Sequence, residues 1–124
     1  MAHNLTTDTL LELIQKTLDI NKANNIVTIP LAGKADFADY MVIASGTSGR
    51  HASSLARLVE DELRKRDFKE SIISGRASGD WLLLDTGDVI VHVFREEVRA
   101  FYDIEKLWLE PDNLQENIKT VAEE

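Results

Sequence analysis

The sequence predicts a single α/β domain, of the α+β-like kind, in which flanking helices cover a mixed β-sheet. Amphipathic helical segments alternate with short segments rich in β-branched residues. One strand–helix–strand unit predicts a parallel pair of strands, and one strand–turn–strand unit predicts an antiparallel pair. A chain of 124 residues, 44% of them hydrophobic, is long enough for one core. With so few helices, we expect them to cover only one face of the sheet.

The first predicted helix spans Thr9 to Asn24, with apolar residues at helical spacing from Leu10 to Leu18. Thr9 and Glu12 fit a capping box. Three preceding polar residues are alternative caps: Thr6, Thr7 and Asp8. The β-branched segment from Ile26 to Leu31 then predicts a strand that ends near Pro30.

The second predicted strand, Tyr40 to Ser45, is almost entirely apolar, which is typical of a strand in the middle of a sheet. The loop from Gly46 to Gly49 follows at once. A second amphipathic helix then runs to about Arg66, and Ser48 is its predicted N-cap.

The remaining elements come from the second half of the chain. Phe68 to Ser74 is a weaker strand candidate. Trp81 to Asp85 and Asp88 to Phe94 predict a tight hairpin around Thr86-Gly87, with Gly87 at positive φ. Glu96 to Leu109 is predicted to be helical in part.

Pro111 predicts the end of the packed domain, because few apolar residues follow it. We therefore expect one domain over residues 1–110. Residues 111–124 are predicted to form a polar tail or a marginal helix.

Charge and composition narrow the classes of function. A net charge of −8 disfavours autonomous binding to DNA or RNA and favours a basic protein partner. Residues 96–124 hold nine acidic and three basic residues. This acidic segment is either a solvated end of the domain or a means of steering a basic partner. The chain has no cysteine, no apolar run of about 20 residues and no visible signal peptide. We expect a cytoplasmic protein without membrane contact.

The two faces of the predicted hairpin differ in composition. If Asp85 pairs with Asp88, one face is wholly aliphatic and packs on the helices. Two interpretations of the other face stay open: a partly exposed binding face, or a second, half-covered core. The aliphatic face carries Leu82, Leu84, Val89, Val91 and Val93, and the mixed face carries Trp81, Leu83, Asp85, Asp88, Ile90, His92 and Phe94.

Motifs for catalysis are weak. The three histidines show no metal-binding spacing, and we expect no metal and no cofactor. The loop of Gly46, Thr47, Ser48 and Arg50, before His51, joins a strand to a helix and is an alternative phosphate site. The loop lacks the Gly-Lys-Ser/Thr ending of a P-loop. The paired carboxylates that hold two metal ions in a nucleotidyltransferase do not follow it.

Three sequence blocks resemble the ribosomal silencing factor family, also called Iojap or YbeB-like, over about residues 7–109. Two mild departures are Ser74-Gly75, where the family usually has Glu-Gly, and Met41, where it usually has Phe. The blocks are Asp39-Tyr40-Met41-Val42-Ile43-Ala44-Ser45-Gly46-Thr47-Ser48 with Arg50-His51; Gly79-Asp80-Trp81 with Leu84-Asp85 and Gly87 to Phe94; and Arg99, Phe101-Tyr102, Ile104-Glu105 and Leu107-Trp108.

The resemblance implies a nucleotidyltransferase-like fold without the enzyme's chemistry. It implies binding to large-subunit ribosomal protein fourteen, which blocks joining of the small subunit and represses translation when nutrients are scarce. The alternative is a small nucleotide-binding or nucleotidyltransferase-like enzyme that uses the Gly46–His51 loop. We expect a monomer or homodimer whose partner contacts are Trp81, Leu83, Asp85, Asp88, Ile90, His92, Phe94, Arg99 and Tyr102.

Overall fold

The computed structural model describes residues 5–75, 79–104 and 106, without the side chains of Phe101 and Tyr102. The expected tail at residues 111–124 and the end of the predicted Glu96–Leu109 helix lie outside these residues. The elements are α1 (Thr7–Ile20), β1 (Asn24–Pro30), β2 (Tyr40–Gly46), α2 (Gly49–Lys65), β3 (Ile72–Gly75), β4 (Trp81–Asp85), β5 (Val89–Arg95) and α3 (Glu96–Tyr102).

The five strands form one mixed sheet in the order β1-β2-β5-β4-β3. β2 and β5 are parallel, and the other neighbouring pairs are antiparallel. The mixed sheet with flanking helices confirms the predicted fold class. The central place of β2, between β1 and β5, explains why six of its seven residues are buried.

Both long helices begin at a side-chain cap. Ser48 Oγ accepts a hydrogen bond from the His51 amide at 3.1 Å, as predicted. The α1 cap is Thr6, whose hydroxyl accepts from the Thr9 amide at 3.1 Å. The capping box at Thr9 is therefore wrong, and α1 also ends at Ile20 rather than Asn24, because Asn24 already pairs with β2.

The main core lies between the sheet and the helices α1 and α2. The predicted aliphatic face of the hairpin packs there, together with Leu55 and Val59 of α2 and Ile14 of α1. These three side chains are at most 1% exposed. The prediction for this face is confirmed.

The hairpin register differs from the predicted one. Asp85 pairs with Ile90, not with Asp88, and Trp81 pairs with Phe94. The connection is longer than two residues because the Thr86 amide and hydroxyl both bond to the Val89 carbonyl, at 3.1 and 2.6 Å. The shift is two residues, so each strand residue keeps its predicted face.

Candidate functional site

The candidate site is the sheet face opposite α1 and α2. Its β1–β2 half is covered by α3 and by the loop after β1, where Met41, Ile43 and Phe94 pack into a second, smaller core. The expectation that the helices cover only one face of the sheet is therefore wrong. Towards the β3 edge the face is less covered. We call this part the Trp81 surface; it consists of Ile72, Ser74, Trp81, Leu83 and Asp85.

Strand pairing brings the members of the Trp81 surface together. Ile72 of β3 lies opposite Asp85, and Ser74 lies opposite Leu83. Directly paired residues share a face, so these side chains form adjoining rows. Ile72 is 66% exposed, and Trp81, Leu83 and Asp85 are half-buried. The result is an apolar surface with one carboxylate at the solvent-facing edge of the sheet.

Two neighbours on β5 hold Trp81 in place. The Trp81 indole nitrogen donates a hydrogen bond to His92 Nδ1 at 3.0 Å. The Trp81 ring also stacks on Phe94, with centroids 5.0 Å apart and planes inclined by 28°. A partly exposed tryptophan fixed on a rigid sheet loses little conformational freedom when it binds a partner.

His92 is a neutral hydrogen-bond acceptor beneath Trp81. Because the indole N–H can only donate, His92 Nδ1 carries no proton in this arrangement. The side chain is 5% exposed, and this burial lowers the pKa of His92 to about 4. The ring therefore supports Trp81 and does not act as a cation near neutral pH.

The two aspartates at the hairpin turn are not equivalent. Asp85 accepts a hydrogen bond from the Gly87 amide at 2.8 Å, which is ordinary turn chemistry. Asp88 accepts from the Thr7 hydroxyl at 3.0 Å, and this contact joins the hairpin turn to the start of α1. The predicted pairing places Asp88 beside Asp85 on the mixed face, but the contact with Thr7 shows that Asp88 lies towards α1 instead.

Several predicted contact residues are buried. Ile90 is 8% exposed and Phe94 is fully buried. Arg99, also 8% exposed, donates from Nη1 to Ser45 Oγ at 2.8 Å and to the Asn24 carbonyl at 3.4 Å, so it joins α3 to the sheet. The side chain of Tyr102 lies outside the described residues.

The sequence analysis missed Ile72 and Ser74. Both lie in the weakly predicted strand, and nothing local indicates which strand it pairs with. The sequence signal for this strand is the apolar pair Ile72-Ile73. In the sheet these two side chains point to opposite faces. Ile73 packs against the main core, and Ile72 remains exposed.

The Gly46–His51 loop uses its own polar groups internally. The Thr47 amide donates to His51 Nδ1 at 2.9 Å, and the His51 amide donates to Ser48 Oγ. His51 Nε2 in turn donates to the Asn21 carbonyl at 3.0 Å, because Nδ1 is the acceptor. A Cβ on Gly46 would lie 2.5 Å from the Ala52 amide nitrogen, so the loop lies tightly against α2. The Thr47 and His51 amides are therefore already bonded within the loop.

Two further features bear on the classes of function. Among the described residues, no cluster of three or more histidines, cysteines or carboxylates could hold a metal ion. No helix within the described part of the chain is long and apolar enough to cross a membrane.

The chain resembles known proteins over most of its length. The family model described as "Ribosomal silencing factor during starvation" matches residues 4–124. This match includes residues 111–124, which the sequence analysis expected to lie beyond the family core. A ribosomal silencing factor of Zymomonas mobilis is 48% identical over 99 residues, 80% of this chain and 74% of that protein.

Two more similarities agree with this match. A ribosomal silencing factor of Haemophilus influenzae is 36% identical over 80% of this chain and 97% of its own length. A crystal structure of a Chromobacterium violaceum protein superposes with a TM-score of 0.80 at 31% identity, covering 84% of this chain and 87% of that one. Sequence and fold thus lead to one conclusion: the chain belongs to the ribosomal silencing factor family.

Proposed function

We propose that the chain binds the large ribosomal subunit through large-subunit ribosomal protein fourteen and prevents the small subunit from joining. Family membership supports the ribosome as the partner and repression of translation as the outcome. The family description connects this activity with starvation. Blocking the joining face sterically requires binding and no chemical step.

The Trp81 surface is the proposed contact. The observation that carries this assignment is the partly exposed Trp81, held by His92 and Phe94 beside the exposed Ile72. Aromatic side chains on rigid supports are typical of the residues that dominate binding energy at interfaces. The half-buried Leu83 extends the apolar area.

Charge supports a basic partner for this acidic chain. The net charge of −8 gives a long-range attraction to a basic ribosomal protein. Asp85 provides a carboxylate within the Trp81 surface itself. Buried or inward-bonded members of the initial contact set, namely Ile90, Phe94 and Arg99, are proposed to support the surface rather than to contact the partner.

Trp81→Ala tests this proposal. We expect the variant to lose about 30-fold in affinity for isolated ribosomal protein fourteen, the effect of about 2 kcal/mol at an interface tryptophan. In sucrose gradients it should fail to migrate with the large subunit and fail to reduce joined ribosomes. A folded variant that binds with unchanged affinity would contradict the Trp81 contact.

We also propose that the chain acts without catalysis. The hydrogen bonds within the Gly46–His51 loop support this, because they occupy two amides that a bound phosphate would need. Thermal unfolding with ATP or GTP and Mg²⁺ tests the alternative, since a nucleotide that binds the folded state raises its melting temperature.

The chain is proposed to be a monomer or a homodimer. Sedimentation over a dilution series distinguishes these two states.

A further inference from the structure

The N-terminal half of α2 carries a cationic concavity of about 560 Å³ on the outside of the molecule. Four of its polar side chains define what we call the α2 surface: Arg50, Ser53, Ser54 and Arg57. Arg50 and Arg57 are seven residues apart, so they lie on one helix face about 10 Å apart along the axis. The two serines lie between them.

The arginines of the α2 surface differ from the other described arginines. Arg64, Arg66 and Arg95 form ion pairs with carboxylates, and Arg99 is buried in hydrogen bonds. Within the described ranges, no ion pair or hydrogen bond engages Arg50 or Arg57. Both guanidinium groups are exposed and have all their donors available.

The local charge is opposite to that of the whole chain. Residues 40–59 form the longest stretch of the sequence without aspartate or glutamate. Arg50 has no carboxylate within one turn of α2, and Arg57 has Glu60 and Asp61 three and four residues further on, of which Glu60 is paired with Arg64. A locally cationic surface on an acidic protein is suited to an anionic partner.

The α2 surface adjoins the end of the sheet where Trp81 lies. A Cβ on Gly79 would lie 2.0 Å from the Gly49 carbonyl oxygen, so the backbones before β4 and at the start of α2 are in direct contact. Only Asp80 separates Gly79 from Trp81 in the sequence. The two surfaces face opposite sides of the molecule and approach each other only at this end, so a partner that contacts both must extend around it.

We propose that the α2 surface binds the phosphate backbone of ribosomal RNA that extends around the molecule from the protein contact of the Trp81 surface. This inference rests on the proposed function, because it assigns a second contact on the same large subunit. Arginine forks and serine hydroxyls are the usual donors to backbone phosphates, and such contacts position a protein without requiring a particular base sequence. The Thr47 and His51 amides take no part, because they are bonded within the loop.

The test compares two double variants that remove the same charge from the same helix. R50Q/R57Q removes the two positive charges of the α2 surface. R64Q/K65Q removes two positive charges that are already paired with Glu60 and Glu62. Binding of each full chain to purified large subunits is measured at several salt concentrations. We expect R50Q/R57Q to lose about tenfold in affinity and to lower the salt slope by roughly one for each phosphate contact removed.

Isolated ribosomal protein fourteen is the second probe. Both double variants should bind it like the unmodified chain, since no RNA is present. Equal behaviour of R50Q/R57Q and R64Q/K65Q on large subunits would overturn the inference and leave the proposed function intact. Weaker binding of R50Q/R57Q to the isolated protein would also overturn it, because the arginines would then contact protein.

A third measurement decides the inference if the chain binds no large subunit and the proposed function fails. A ribosomal RNA fragment is titrated into the chain, and the side-chain N–H resonances of the arginines are followed by NMR. Shifts confined to Arg50 and Arg57 support the RNA contact. Shifts spread equally over Arg64 and Arg66, or none, overturn it.

Discussion

Alternate residues of the same strands point to the two faces of the sheet, and the two faces differ in burial and composition. On the helix-covered face, Leu84 and Val91 are fully buried in an aliphatic core. On the opposite face, their neighbours Leu83 and His92 belong to a mixed row that α3 leaves partly open. We expect stability to come chiefly from the uniform face, because its side chains are buried against the helices. The mixed face keeps some side chains partly exposed, and these are available for the proposed recognition.

The adjacent leucines of β4 test this comparison with the largest expected effect. Leu84→Ala should lower the free energy of unfolding by about 2–5 kcal/mol, because it leaves a cavity in the main core. Leu83→Ala should cost clearly less, since Leu83 is already in contact with solvent. Urea unfolding of both variants measures the difference. Equal losses would show that the open face is as much a core as the covered one.

The protonation of His92 should make the open face sensitive to acid. The pKa of His92 is about 4 in the folded chain, below its ordinary value of 6.5, so the unfolded chain binds this proton more readily. The stabilisation is complete above about pH 6.5 and is lost as the pH falls towards 4. The loss amounts to roughly 3 kcal/mol, at 1.36 kcal/mol per pKa unit.

Urea unfolding between pH 7.5 and 4.5 measures this dependence. His92→Gln is the control, because glutamine can accept the Trp81 hydrogen bond and does not titrate. The difference in stability between the two proteins should shrink or reverse as the pH falls. Parallel pH profiles would mean that His92 is not the group responsible.

Two exposed isoleucines offer a matched pair for the proposed contact. Ile72 on the Trp81 surface is 66% exposed, and Ile20 at the end of α1 is 65% exposed. Ile72→Ala should weaken binding to ribosomal protein fourteen about fivefold, or about 1 kcal/mol. Ile20→Ala should bind normally. If both variants lose affinity equally, the Trp81 surface is not the specific contact with ribosomal protein fourteen.

The smallest expected effect concerns the charge of Asp85. Asp85→Asn keeps an oxygen that can accept from the Gly87 amide and removes only the carboxylate charge. We expect association with ribosomal protein fourteen to slow about two- to threefold at low salt, and the difference to shrink as salt rises.

Asp61→Asn, at an exposed position of α2, removes the same charge and is the matched control. Stopped-flow association rates at two salt concentrations compare the variants. An equal slowing by Asp61→Asn would assign the effect to the net charge of the whole chain.

The candidate site was predictable only in part. Trp81, Leu83 and Asp85 lie on the expected face because strand periodicity of two fixes the direction of each side chain within a strand. The burial of Arg99 and Phe94 was not predictable, since it depends on where α3 packs. Ile72 lies on the Trp81 surface only because β3 pairs with β4.

Local sequence determined the secondary elements of this protein and the two faces of its hairpin. It also determined the Ser48 cap and the positive φ of Gly87, because caps and tight turns depend on the residues within them. Tertiary structure alone decided the strand order, the two-residue shift that pairs Asp85 with Ile90, and the contact of Asp88 with Thr7. These features depend on contacts between segments far apart in the sequence, and no local periodicity encodes which distant segment will be the neighbour.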